Sequence, residues 1–240
     1  MVAISDEKSV TSQSGNQVPS TREGIQFPVK SMLAGHSRGP APTSKLRDDQ
    51  VKEAFAAAEF AMTTLPLNRF LTINWERAGI ANAAEATRLF LKLASDFCRT
   101  HGSELAYLWT LEHTERVGVH AHIMMHVPHE LGARFGQRQR GWFKRVGGRS
   151  AKGNLKTKHV GHSSRAYLHR DRDGGAFAKD HRSVAEYILK CCSFEVKREL
   201  GFQRQTHSGA VAGQRYGRSQ NLGPKTRRSF AEQSSSRRST

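Results

Sequence analysis

The chain has 240 residues, enough for one substantial domain with appendages and too few for a large two-domain enzyme. Lys and Arg number 38 against 21 Asp and Glu, a formal net charge of +17 that exceeds what solubility needs and predicts a polyanionic partner. A mean hydropathy of -0.62, no apolar run of the roughly 20 residues that a membrane helix needs and no signal-like apolar stretch near Met1 predict a soluble cytoplasmic protein with no membrane association.

Residues 1–46 are rich in Ser, Gly, Gln, Thr and Pro, too polar to offset the entropy of ordering, and read as a disordered segment. An Ala-rich run over 47–65 predicts a leading helix that stops before Pro66. Phe70 to Trp75 alternates, with Leu71, Ile73 and Trp75 on one face, and predicts the first strand. Asn82 followed by Glu85 resembles a capping box, after which Leu89, Phe90, Leu93, Phe97 and Cys98 recur at helical spacing up to Gly102. Leu105 to His113 and Val117 to Val127 predict a hairpin across Thr114 to Arg116, giving the order β-α-β-β. His129 to Val146 is a weaker helical segment, and Gly147 to Asp180 is basic and irregular with a short strand around Arg165 to His169. Ser183 to Phe194 predicts a helix on Val184, Ile188 and Cys191. Residues 203–240 are rich in Gly, Arg, Ser and Gln and read as a basic, mostly disordered tail. Cys98, Cys191 and Cys192 form no Cys-x-x-Cys pair, which fits neither a disulfide framework nor a thiolate zinc site.

The hairpin carries the chemistry. In Val117 to Val127 the odd positions are Val, Val, Ala, Ile, Met and Val, while the even ones include His120, His122 and His126. Side chains two apart in a strand share a face, so His120 and His122 can converge on one cation. The preceding strand puts Leu105, Tyr107, Trp109 and Leu111 on one face and Thr110 and Glu112 on the other. A shared core requires odd residues opposite odd ones, which brings Glu112 to the histidine face, opposite or one pair removed. The result is a two-histidine, one-carboxylate set suited to Mn, Mg, Fe or Zn, with His126 as a fallback ligand.

On the late helix, Tyr187 sits at the margin of the apolar stripe, and Lys190, three residues on, falls on the polar side. A tyrosine of ordinary pKa near 10 needs a nearby cation to act as a nucleophile. Arg138, Arg140, Trp142, Lys144, Arg145, Lys156 and Lys158 interleave cations with aromatics, the composition of a groove for single-stranded nucleic acid.

A His-hydrophobic-His strand followed by a helical Tyr-x-x-Lys resembles the HUH endonuclease superfamily, specifically its single-tyrosine rolling-circle replication initiators. Phe70 to Asn74 resembles the first-strand motif, Glu112 with Val119 to Ile123 the metal motif, and Ala185 to Lys190 the catalytic helix. The tyrosine follows the histidines, the reverse of the order in relaxases. The resemblance spans about residues 66–200 and implies an α+β fold, an antiparallel sheet on a ferredoxin/RRM-like β-α-β-β core, with the endonuclease domain at 66–202. It implies that His120, His122 and Glu112 bind Mn or Mg. Tyr187 would attack single-stranded DNA at a replication origin, leaving a 5'-phosphotyrosine and a free 3'-hydroxyl, while Lys190 positions the phosphate. With no helicase domain fused, the host's helicase and polymerase would be separate partners of a plasmid or phage element. Two alternatives stay open: a single-tyrosine DNA transposase of the same superfamily, and a non-enzymatic basic nucleic-acid-binding protein. A hydrolytic metalloenzyme is disfavoured, because Met124 stands where a His-x-His-x-Asp-His site needs Asp.

Overall fold

A computed structural model of the chain describes residues 41–170 and 175–236. In chain order it contains α1 (Asp48–Thr64), β1 (Arg69–Asn74), α2 (Ala83–Thr100), β2 (Ala106–Thr114), β3 (Gly118–His126), α3 (Gly132–Arg145), β4 (Leu155–His159), α4 (Ala176–Leu189), α5 (Phe194–Leu200), β5 (Tyr216–Arg218) and α6 (Pro224–Ser236). The strands form one antiparallel sheet in the order β4-β1-β3-β2-β5. The fold is α+β, as expected for the HUH type. Among the described residues, no helix is long and apolar enough to cross a membrane, and all three cysteines are free and buried.

The local signals act as read for the first half of the domain. Asn82 caps α2 by accepting the Glu85 N–H at 3.1 Å, and Gly102 follows its end at φ 68°. Trp75, fully buried, donates its indole N–H to Thr87 Oγ1 at 2.8 Å, which satisfies a donor that would otherwise be orphaned in the core. In the hairpin, odd lies opposite odd throughout: Leu111 pairs Ala121, Trp109 pairs Ile123 and Tyr107 pairs Met125. These side chains, with Leu71 and Ile73 of β1, pack against Phe90, Leu91 and Ala94 of α2 and Phe135, Trp142 and Phe143 of α3.

The opposite face is covered as well. Leu108 and Met124 belong to a second cluster with Val51, Phe55 and Ala58 of α1, Phe177, Ile188 and Leu189 of α4 and Val196 of α5. The histidine face is therefore an interior surface between two layers, not the half-exposed face of a two-layer sheet.

Four expectations are corrected. The strand expected around Arg165 to His169 is a 3-10 turn, Ala166–His169, and the strand of this region is β4, whose Leu-Lys-Thr-Lys-His sequence has no apolar alternation. The last sequence-predicted helix starts at Ala176 instead of Ser183 and ends at Leu189. A separate helix follows, capped where Ser193 Oγ accepts the Val196 N–H at 3.2 Å. The segment 203–236 is folded: β5 pairs with β2, and the buried Arg215 guanidinium donates to the carbonyls of Leu111 and Thr43. Gly217 is required here, since a Cβ would collide with the Trp109 indole. The disorder expected of 1–46 lies outside the described residues up to 40, but Thr43 bridges Val211 and Leu46 is 1% exposed. Residues 237–240 also lie outside them.

Candidate metal centre and groove

Register places the candidate ligands. Glu112 stands directly opposite His120, and Thr110 opposite His122, across the β2–β3 ladder, while β1 sets Thr72 beside His122 from the other side. All lie on the even face, and Glu112, His120 and His122 are each at most 5% exposed. Glu112 Oε2 is 3.1 Å from His122 Nε2 and 3.6 Å from His120 Nε2. One ligand atom from each of the three lies within 4.8 Å of the others. The hinge of this cluster is a single carboxylate oxygen, to which Lys190 Nζ also donates.

Hydrogen bonds orient the imidazoles. His120 Nδ1 donates to the Gly118 carbonyl at 2.9 Å; a carbonyl only accepts, so the proton sits on Nδ1 and Nε2 can serve as a ligand. His122 Nδ1 lies 3.3 Å from Thr72 Oγ1, with Nε2 on the Glu112 side. Burial is the largest influence on His122 and, together with the neighbouring Lys190 and His120, brings its pKa down to about 4 against the opposing pull of Glu112. Burial also pushes the Glu112 carboxyl up, but hydrogen bonds from His120, His122 and Lys190 outweigh it and hold the group well below the usual carboxylate range. At neutral pH the cluster therefore offers a neutral His122 and an ionised carboxylate, the protonation states that a divalent cation requires. His126 is not part of it: its Nδ1 donates to the Pro66 carbonyl at 2.8 Å, and its ring packs edge-on to Tyr167.

Helix α4 crosses this face and is pinned where Thr110 Oγ1 donates to the Ile188 carbonyl at 2.9 Å. The half-buried Tyr187 ring lies 5.0 Å from the His122 ring and 5.8 Å from Phe70, centroid to centroid. Lys190 departs from its expected place on the polar side. It is 7% exposed, because the helix ends at Leu189 and the side chain turns inward to the Glu112 carboxylate, its Nζ passing 4.0 Å from the Tyr187 ring centroid.

A groove of about 660 Å³ opens over these groups, lined by Phe70, Thr72, His120, His122, Tyr187, Lys156, Lys158 and Arg204 among others. The basic residues expected to form one surface divide between the two faces. Lys156 and Lys158 pair with Thr72 and Phe70 on the histidine face and belong to the groove. Arg138, Arg140, Lys144 and Arg145 are on α3, across the sheet; Arg138 and Arg145 line a separate groove of about 690 Å³ between α2 and α3. Trp142, 8% exposed, packs on Phe90, Phe97 and Phe135 and is a core residue, not a platform for bases. Sequence reasoning missed Thr72 and Arg204 as site residues. Thr72 becomes visible once β1 is known to neighbour β3; Arg204 lies in the stretch read as tail.

Fold and site together define an antiparallel α+β domain with a candidate cation site, two histidines and one carboxylate, at the floor of a basic groove. The chain belongs to the ORF2 family of replication-associated proteins, whose model matches residues 68–192, more than half of its length. No curated protein and no solved structure matches it. Glu112, His120, His122, Tyr187 and Lys190 all fall within the matched segment.

Proposed function

We propose that this protein is a metal-dependent, site-specific nickase and strand transferase of the HUH type that initiates rolling-circle replication on single-stranded DNA through a 5'-phosphotyrosine. The observation that carries the reading is the meeting of three metal-competent side chains and a half-buried tyrosine in one basic groove, in a chain of a replication-associated family. Its setting would be a replication origin in the cytoplasm, with the helicase and polymerase of the host as separate partners.

The donor set of two imidazoles and a carboxylate fits Mn or Mg, and Glu112, His120 and His122 would hold the ion. When bound, such a cation supplies positive charge toward the non-bridging oxygens of the scissile phosphate. Lys156 and Lys158 neutralise backbone phosphates on the groove side. Tyr187 Oη attacks phosphorus, and the P–O3' bond breaks. The phosphodiester energy is kept in the tyrosyl ester, so a later 3'-hydroxyl can reseal the strand without ATP. Water attack would not allow this.

The test is incubation of the full chain with a random-sequence single-stranded DNA pool and Mn, followed by a denaturing gel. A covalent protein–DNA adduct that disappears in chelator and in His122→Ala is expected. DNA binding without cleavage under any metal would favour a non-enzymatic nucleic-acid-binding protein instead.

A further inference from the structure

Lys190, the residue expected to hold the phosphate, is occupied. Its Nζ is buried against Glu112 Oε2 and its carbonyl accepts the Thr206 N–H at 3.0 Å. A phosphate could reach it only by displacing the one carboxylate of the candidate metal set. A second cation faces Tyr187 from solvent. The Arg204 guanidinium carbon lies 5.9 Å from the Tyr187 ring centroid and lines the same groove.

Arg204 differs from the other arginines of its segment. Arg215 is spent on the Leu111 and Thr43 carbonyls, and Arg218 and Arg227 pair with Glu53. Arg204 has no carboxylate partner among the described residues, yet its backbone is held on both sides. Phe202 is buried against Phe55; the Gln203 N–H donates to Glu186 Oε2 at 3.2 Å and Gln205 Nε2 to the Cys192 carbonyl at 3.1 Å. An exposed guanidinium on an anchored backbone, aimed across a tyrosine ring, is preorganised for an anion arriving from solvent.

Resting on the strand-transfer reading above, we infer that Arg204, not Lys190, is the catalytic cation that meets the scissile phosphate, and that Lys190 is a positioning residue for Glu112. The planar guanidinium matches two phosphate oxygens at once, which an ammonium does not. In the step, Tyr187 Oη gives its proton to solvent and forms the Oη–P bond while the P–O3' bond breaks. The 3'-oxygen takes the electron pair and then a proton from solvent. Arg204 holds the charge that builds on the non-bridging oxygens. It lies outside the segment that the family model matches.

The two roles separate in one experiment on the full chain, using the best-cleaved sequence recovered from the pool above. Under single turnover at saturating Mn, Arg204→Ala should slow adduct formation about 100-fold, and Arg204→Lys should return part of the rate. Neither should move Mn affinity measured by direct titration without DNA, and Lys225→Ala should change nothing. Lys190→Met should weaken that Mn affinity by about 10-fold or more. If wild type forms the adduct and Arg204→Ala forms it at the same rate, the role of Arg204 is overturned and the strand-transfer reading stands. If Lys190→Met binds Mn as wild type does, its positioning role is overturned. If wild type forms no adduct, the strand-transfer reading and this inference fall together.

Discussion

The two faces of the sheet are built from the same strands and do opposite work. On the odd face Leu71, Ile73, Trp109, Leu111, Ala121 and Ile123 meet α2 and α3 in a continuous apolar core. On the even face Leu108 and Met124 do the same toward α1 and α4, but the middle of that face is given to Thr72, Glu112, His120 and His122, all linked to one another or to Lys190. Period-two alternation thus lets β2 and β3 carry a core and a reactive centre back to back. The reactive face tolerates burial because each charge has a partner, and losing a partner should cost more there than losing a methyl group does on the other side.

The largest effect expected is therefore on Glu112. Glu112→Gln strips Lys190 of its counter-charge in the interior and should cost about 3–5 kcal/mol in urea unfolding of the metal-free protein; adding Lys190→Met should recover much of this. Ile123→Ala on the odd face should cost about 2–5 kcal/mol while leaving Mn affinity intact, and a loss of Mn binding there would show that the faces are not independent. Next comes pH. His122 is held at about 4 and so is His181, a buried α4 residue whose shift is caused chiefly by burial and whose Nε2 has no partner. An unfolded histidine titrates near 6.5, so the unfolded chain binds more protons between these values. Stability is complete above about pH 6.5 and falls by about 1.4 kcal/mol per pH unit for each histidine as pH drops toward 4. Denaturation of His181→Leu should show roughly half that slope, and an unchanged slope would locate the titration elsewhere. The smallest effect belongs to the back of the molecule. Arg138→Ala with Arg140→Ala should lower single-stranded DNA affinity and flatten its salt dependence, by about 0.7 in log-log slope for each phosphate no longer neutralised, without changing the rate at which bound DNA forms the adduct.

The hairpin and its ligands were legible in the sequence because one face is wholly apolar: a one-residue slip would have buried Glu112 among Trp109 and Ile123, so the register followed from alternation alone. Asn82 and Gly102 marked α2 in the same direct way. Strand β4 was hidden, since only Leu155 among its five residues is apolar and its pairing with β1 is decided by backbone groups. Helix α4 was read too short because His181 occupies a stripe position beside Phe177 and breaks the apolar pattern. Lys190 was misplaced for a different reason. A helical wheel assumes that the helix continues, whereas here it ends one residue earlier and an ion partner 78 positions away decides the direction of the side chain. The folded segment beyond 203 depends on scattered anchors, Val211, Tyr216 and Leu222, and on a buried arginine that donates to carbonyls, none of which forms a period.

Strand transfer rests on Tyr187 as the nucleophile. The most direct measurement is to form the adduct with wild type in Mn, digest protein and DNA, and map the modified peptide by mass spectrometry, alongside Tyr187→Phe. A nucleotide linked to Tyr187, with Tyr187→Phe binding DNA and Mn normally yet forming no link, is the predicted result. A link on Tyr167 or Tyr216, or an undiminished adduct in Tyr187→Phe, would contradict it.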